Sequence, residues 1–241
     1  MSTISEKIQH VRQQIDEACR ISGRPVGTVA LLAVSKTYGV EAIAEAIAAG
    51  QRAFGENYIQ EGVEKICYFA EQPAEQRQNL EWHCIGPVQS NKTRLVAAHF
   101  DWVHTVDRLK IAQRLSEQRP EALPPLQVCI QVNVDGGSTK SGVAPEEVEA
   151  LVRAAADLPR LVLRGVMSIP DPAPDEQAQY AVHQRVKAVF DHIAYLGLPQ
   201  LTQWDTVSLG MTADLQTAVQ AGSTMVRVGS GIFGQRHYPA A

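Results

Sequence analysis

Short apolar runs alternate with longer amphipathic stretches along almost the whole chain. Runs at 29–35, 52–55, 82–85, 102–105, 126–134, 161–169, 206–209 and 225–228 have the length of buried strands. Helical candidates lie between them, for example at 40–49, 57–69, 107–118, 145–156, 176–196 and 213–221. The opening segment places Ile4, Ile8, Val11 and Ile15 at helical spacing, so an extra amphipathic helix is expected on the outside of the fold. Strands separated by helices argue for parallel pairing, because a parallel connection needs a long crossover. Eight such strand-helix units predict an α/β fold, a single (β/α)8 TIM barrel forming one domain over residues 1–241. An open doubly wound sheet fits the same alternation. The proline-rich pieces at 120–125 and 170–174 read as loops, since the alternation resumes directly after each.

Length and composition narrow the function classes. A chain of 241 residues can build one large core, and 45% hydrophobic with 20% charged residues is ordinary for a globular protein. A net charge of -4 offers no basic surface for nucleic acid or an anionic membrane. Cys19, Cys67, Cys84 and Cys129 lack the spacing of a zinc site or a redox pair and read as reduced thiols, with Cys129 a small hydrophobe in its strand. No metal site is expected. Neither a membrane-length apolar segment nor a signal-peptide centre is seen, so the expected location is the cytoplasm.

If the barrel forms, residues just past each strand converge on one mouth, where barrel active sites lie. Lys36 ends the apolar run Val29-Ala30-Leu31-Leu32-Ala33-Val34-Ser35. An amine next to a core is disfavoured as an ammonium, and its neutral form is the one that condenses with an aldehyde. The plain alternative is the first solvated residue beyond a strand. Gly229-Ser230-Gly231-Ile232-Phe233-Gly234 is a glycine-rich turn at the eighth strand, where barrels often bind phosphate, and Ser208 and Thr212 can add hydroxyl donors from the neighbouring loop. Arg227 stands two residues before Gly229 and therefore on the same face. A guanidinium facing a pyridine nitrogen keeps that nitrogen unprotonated and the ring a weak electron sink; pairing with a carboxylate such as Asp214 is the alternative. Asn57, His83, Asn133, Met167 and Ser168 lie at or near strand ends that face the same mouth.

The segments Ala33-Val34-Ser35-Lys36, Phe54-Gly55-Glu56-Asn57-Tyr58-Ile59-Gln60-Glu61 and Trp82-His83-Cys84-Ile85-Gly86-Pro87-Val88-Gln89-Ser90-Asn91-Lys92 closely resemble the pyridoxal-phosphate homeostasis protein family, called YggS in bacteria and PROSC in animals. Gln131-Val132-Asn133, Leu163-Arg164-Gly165-Val166-Met167-Ser168-Ile169-Pro170, Ser208-Leu209-Gly210-Met211-Thr212-Ala213-Asp214 and Val226-Arg227-Val228-Gly229-Ser230-Gly231-Ile232-Phe233-Gly234 continue the match in order. Among the members, the cyanobacterial PipY-type proteins look nearest. The resemblance implies a barrel like the N-terminal domain of alanine racemase, holding pyridoxal 5'-phosphate as a Schiff base on Lys36. It implies a phosphate loop at Gly229 and Ser230 with Ser208 and Thr212 nearby, Arg227 toward the pyridine nitrogen, and Asn57, His83 and Ser168 lining the pocket.

The function so implied is intracellular vitamin B6 homeostasis, and through it amino-acid and keto-acid balance, without catalytic turnover. Pyridoxal-phosphate-dependent apoenzymes are the expected transient acceptors, and the protein is expected to be a monomer. The chain ends soon after the eighth strand, so no second domain is expected to cover the cofactor. A racemase or related lyase using the same lysine is the enzymatic alternative. A scaffold that docks a partner on the 176–196 helix is a third, compatible with the first. Pro170-Asp171-Pro172-Ala173-Pro174 is expected to form a stiff loop beside the cofactor.

Overall fold

A computed structural model describes residues 2–137 and 140–234 of the chain. The strands are β1 (Ala30–Val34), β2 (Ala53–Glu56), β3 (Glu81–Cys84), β4 (Trp102–Val106), β5 (Leu126–Gln131), β6 (Leu161–Met167), β7 (Thr206–Ser208) and β8 (Met225–Val228). Each pairs in parallel with the next, and β8 closes on β1 through Ala33 opposite Val228. The sheet is a closed barrel, so the open doubly wound alternative is excluded.

Alternation along each strand sorts side chains into two layers. Outward residues such as Ala33, Phe54, Cys84, Val103, Val128 and Val207 join the main core beneath the helices. Inside the barrel, Leu32, Val34, Ile85 and Met225 form one apolar cluster, and Trp102, Cys129 and Met167 another. The fully buried Cys129 is therefore a small apolar filler, as its strand context predicts.

The opening helix α1 (Ile4–Ile21) buries Ile8, Val11, Ile15, Ala18 and Cys19, the predicted stripe extended by one turn. Its start is fixed by a capping box: Glu6 N–H donates to the Thr3 hydroxyl at 3.2 Å, and Thr3 N–H donates to the Glu6 carboxylate at 2.9 Å. Between strands lie α2 (Val40–Ala48), α3 (Ile59–Ala70), α4 (Ala74–Arg77), α5 (Thr93–His99), α6 (Leu109–Gln118), α7 (Val148–Ala155), α8 (Glu176–Tyr195) and α9 (Leu215–Gln220), and α10 (Ser230–Phe233) follows β8.

The differences from the sequence pattern are local. Helices α4 and α5 have no counterpart in it, because four and seven residues are too few to establish a helical period. Strand β5 stops at Gln131 instead of residue 134, because Asn133 turns aside: its side chain donates to the Gly137 carbonyl at 3.0 Å and accepts from Gly136 N–H at 3.2 Å. Strand β6 likewise ends at Met167. Helices α3 and α9 begin two residues later than the pattern suggests, which leaves Asn57, Ala213 and Asp214 in loops at the barrel mouth.

Candidate functional site

The strand ends enclose a cavity of about 560 Å³ lined by Val34, Lys36, Asn57, Ile85, Ile169, Met211, Thr212, Ala213, Arg227, Gly229, Ser230 and Gly234. Six of the nine sequence-predicted site residues therefore meet there: Lys36, Asn57, Thr212, Arg227, Gly229 and Ser230. Apolar side chains from β1, from the segments after β3 and β6, and from Met211 make its walls.

Lys36 is half-buried in the turn after β1, and its backbone is held on both sides. Ser35 donates through Oγ to Glu56 Oε1 at 2.6 Å, and Thr37 N–H donates to Glu61 Oε1 at 2.6 Å. Lys65 of α3, 5% exposed, joins both carboxylates and donates as well to the Ser35 carbonyl at 2.9 Å. Thr37 carries φ +69°, a left-handed conformation that costs a β-branched residue about 1–3 kcal/mol and persists only where surrounding bonds impose it. Burial drives the Glu56 carboxyl above its ordinary range, opposed by Lys65 and by the Ser35 hydroxyl. Sequence reasoning misses this buried ion cluster. Its only sign in the sequence is Glu61 and Lys65 at a spacing of four in a predicted helix.

The neighbouring wall is the β8 end. Tyr38, just past Lys36, donates its hydroxyl to the Gly234 carbonyl at 2.7 Å and stacks on Phe233 with ring centroids 5.0 Å apart. The lysine turn and α10 are thereby locked together. A Cβ on Gly229 would stand 3.3 Å from the Val34 carbonyl oxygen, so glycine lets β8 close tightly on β1 at this level. Among the described residues, the amides of Ser230 and Gly231 donate to no backbone carbonyl, while Ser230 Oγ lies 3.4 Å from Thr212 Oγ1. Two hydroxyls and two backbone donors at one rim suit an anion of phosphate type.

Asn57 is placed by Gly86, where a Cβ would lie 2.0 Å from the Asn57 carbonyl oxygen. Its side-chain oxygen Oδ1 is buried with no hydrogen-bond partner among the described residues, an acceptor that a bound molecule with a donor would satisfy.

The other three predicted residues lie elsewhere. Ser208 is fully buried, not on the rim, and Arg227 donates from Nη1 to its carbonyl at 2.7 Å and to its hydroxyl at 2.8 Å. Ser168 lines an adjoining hollow; its hydroxyl donates to the Val132 carbonyl at 2.7 Å and its carbonyl accepts from Arg227 Nη2 at 2.9 Å. Both serines support Arg227. His83 is buried inside the barrel, stacked on Trp102 at 5.1 Å and 11°, because β3 brings it inward one layer below Ile85. Arg227 forms no hydrogen bond with Asp214, whose carboxylate meets His183 Nε2 at 3.0 Å. Burial pushes the Arg227 guanidinium down to about 10, with Asp214 pulling the other way, so it remains a cation at neutral pH.

The proline-rich loop also sits to one side. Pro170, Asp171 and Pro172 line the adjoining hollow, which shares Asn57, Ile85, Ile169 and Met211 with the main cavity. Lys140 ties this loop down by pairing with Asp135 at 2.6 Å and Asp171 at 2.7 Å.

All four cysteines are free thiols, and only Cys67 is exposed. Burial pushes Cys84 and Cys129 up to about 12. Iodoacetamide applied to the native protein is expected to modify Cys67 alone; labelling of Cys19, Cys84 or Cys129 before unfolding would contradict the packing.

The family model described as alanine racemase, N-terminal domain, matches residues 7–237. A curated protein of Vibrio cholerae named pyridoxal phosphate homeostasis protein is 54% identical over 238 residues, covering 99% of this chain and 98% of its own. The structure of PipY from Synechococcus elongatus with PLP bound has a TM-score of 0.81 at 32% identity and covers 96% of this chain and 100% of its own. The Vibrio protein is thus nearer in sequence than PipY, the type to which the motifs point. Alanine racemase of Clostridium difficile shares the fold at a TM-score of 0.68 and 18% identity, and the chain spans 58% of its length.

Proposed function

This chain belongs to the pyridoxal phosphate homeostasis protein family, and from that premise we propose that it binds pyridoxal 5'-phosphate in the mouth cavity and serves vitamin B6 homeostasis without catalytic turnover. The observation that carries the reading is convergence: one amine, one phosphate-type rim and one buried cation border a single cavity of about 560 Å³. The orphaned Asn57 Oδ1 fits a ligand that brings its own hydrogen-bond donor.

Lys36 is the amine that would hold the cofactor's aldehyde. Ser230, Thr212 and the first amides of α10 would take its phosphate, in the loop position where barrels commonly hold one. Arg227 would face the ring nitrogen. When bound, the cofactor supplies an electrophilic carbon and a ring that can draw electrons from it. Arg227 weakens that second property, since a permanent cation beside the ring nitrogen opposes its protonation. Val34, Ile85, Ile169 and Met211 would cover the ring faces and limit water.

Retention in place of turnover is supported by the lining. Among the described residues, Lys36 and Arg227 are the ionisable groups bordering the cavity. A racemase needs an acid or base positioned on the reacting proton opposite the lysine. The protein is expected to leave the α-proton of every amino acid unexchanged in deuterium oxide; rapid exchange that disappears in Lys36→Ala would instead establish the racemase or lyase reading.

The holoprotein is expected to be yellow, to lose that colour on borohydride reduction and to carry the label on the peptide containing Lys36. A preparation that stays colourless after soaking with pyridoxal phosphate overturns the proposal. We read the chain as one cofactor-binding domain, a cytoplasmic monomer that passes its cargo to apoenzymes; no described helix is long and apolar enough to cross a membrane. The loop at 170–174, pinned through Asp171 to Lys140, is proposed to restrict escape of the cofactor. Pro172→Gly is then expected to speed transfer to an acceptor apoenzyme, and an unchanged rate removes the loop from the account.

A further inference from the structure

Two histidines inside the barrel are joined to the cavity by an unbroken line of hydrogen bonds. His83 on β3 and His104 on β4 are fully buried. Nδ1 of His83 lies 2.9 Å from Nε2 of His104. Nδ1 of His104 lies 3.0 Å from the Ser208 hydroxyl, which also accepts from Arg227 Nη1 at 2.8 Å. At the other end, Nε2 of His83 points toward Glu81, 3.6 Å from Oε2, and has no closer partner among the described residues. The Glu81 side chain is 55% exposed and stands at the first residue of β3, on the face of the barrel opposite the mouth.

Donor and acceptor rules fix the direction of the Arg227 link, and the directions of the two histidine links then follow from where the Ser208 hydroxyl places its one proton. Arg227 has only donors, so the Ser208 oxygen accepts from it. We assign the single proton of that hydroxyl to His104 Nδ1, 3.0 Å away. Burial keeps both imidazoles neutral, and His104 is further opposed as a cation by His83 and by Arg227. A neutral His104 that accepts at Nδ1 carries its proton on Nε2 and donates to His83 Nδ1. His83 then carries its own proton on Nε2, directed at the Glu81 carboxylate. The dipoles align from a cation at the cavity to an anion at the far face, so each link reinforces the next. Asp101 and Arg164 are the other charges acting on His83, one favouring and one opposing its protonation.

We propose that the chain Glu81, His83, His104 and Ser208 sets the orientation of Arg227 at the cavity, and that His104 is a positioning residue for the cofactor's ring. The proposal rests on the reading that Arg227 faces that ring. The guanidinium is fixed by three acceptors: the Ser208 hydroxyl, the Ser208 carbonyl and the Ser168 carbonyl. The two carbonyls belong to the barrel backbone. The hydroxyl alone can rotate, and His104 Nδ1 is what turns its lone pairs toward the arginine. A side chain at position 104 without that acceptor frees the hydroxyl and leaves His83 unpaired.

Two measurements decide the matter. Nitrogen-15 NMR of the histidine-labelled apoprotein is expected to show both rings as neutral Nε2–H tautomers at neutral pH. An Nδ1–H tautomer or a charged ring at position 104 overturns the chain, whether or not any variant folds. In the holoprotein, His104→Phe is expected to shift the visible band of the bound cofactor and to release it about tenfold faster to a scavenging apoenzyme, a change worth about 1.4 kcal/mol. His104→Asn, which keeps an acceptor near Nδ1, is expected to return most of the wild-type rate, and Ser208→Ala to resemble His104→Phe. A folded His104→Phe protein with the wild-type band and release rate overturns the positioning role. The borohydride label on Lys36 of the wild-type protein separates the two levels: its absence brings down the binding reading and this role with it, whereas a normal label with unchanged His104→Phe behaviour brings down this role alone.

Discussion

Lys36→Ala is expected to reduce covalent labelling by pyridoxal phosphate and borohydride to background and to remove the yellow band. The phosphate-type rim at Thr212, Ser230 and α10 is untouched by the substitution, so weak reversible uptake should persist. Two other amines near the mouth are each held by a pair of carboxylates. Lys65 is buried against Glu56 at 2.8 Å and Glu61 at 2.6 Å, and Lys140 is paired to Asp135 and Asp171. The carboxylates of Asp135 and Asp171 hold the Lys140 ammonium above its ordinary range against the pull of burial, which makes it a poor nucleophile, and Lys65 is enclosed between its own two carboxylates. Peptide mapping that finds full labelling of Lys36→Ala on another lysine would remove Lys36 from its assigned role.

Lys65→Met is expected to destabilise the protein by about 3–5 kcal/mol, the usual consequence of leaving a buried carboxylate without its counter-ion. For a chain of 241 residues that corresponds to a lowering of the thermal midpoint by roughly 6–20 °C. The deficit should depend on pH in a defined sense. Burial already raises the folded-state pKa of Glu56 above 4.5, and loss of Lys65 removes the opposing attraction and raises it further. A carboxyl whose folded pKa is raised binds more protons folded than unfolded in the interval between the two values, so stability rises as pH falls through that interval. The gap between variant and wild type should therefore narrow from pH 7 toward about 4.5. A gap that is constant with pH would show that Glu56 is not the unpaired group. Because Thr37 and Ser35 depend on the same cluster, the variant should also label more slowly at Lys36.

Much of the candidate site is legible in the sequence. Lys36, Gly229 and Ser230 stand at strand ends with residue types suited to an amine and an anion loop, and barrel closure brings them to one cavity. Arg227 shares that cavity with Gly229, as period-two alternation requires, since alternation is a property of the strand itself. Alternation cannot reveal depth. His83 and Ser208 lie on inward faces as expected, yet below the mouth, and strand stagger around the barrel decides which layer a residue occupies. Ser168 turns its hydroxyl onto the Val132 carbonyl, a bond to a segment 36 residues away that no local pattern announces. Helices α4 and α5 escape for the opposite reason, being too short to show a period.

By itself the sequence determined the order of strands and helices, the amphipathic face of α1, and the residue types gathered at strand ends, because each follows from local spacing and from the chemistry of a side chain. Only the tertiary structure decided that β8 closes on β1, that Lys65 clamps the turn bearing Lys36, and that His104 reaches Arg227 through Ser208. Those contacts join residues tens to hundreds of positions apart, and closing the sheet into a barrel is what brings them within hydrogen-bond distance.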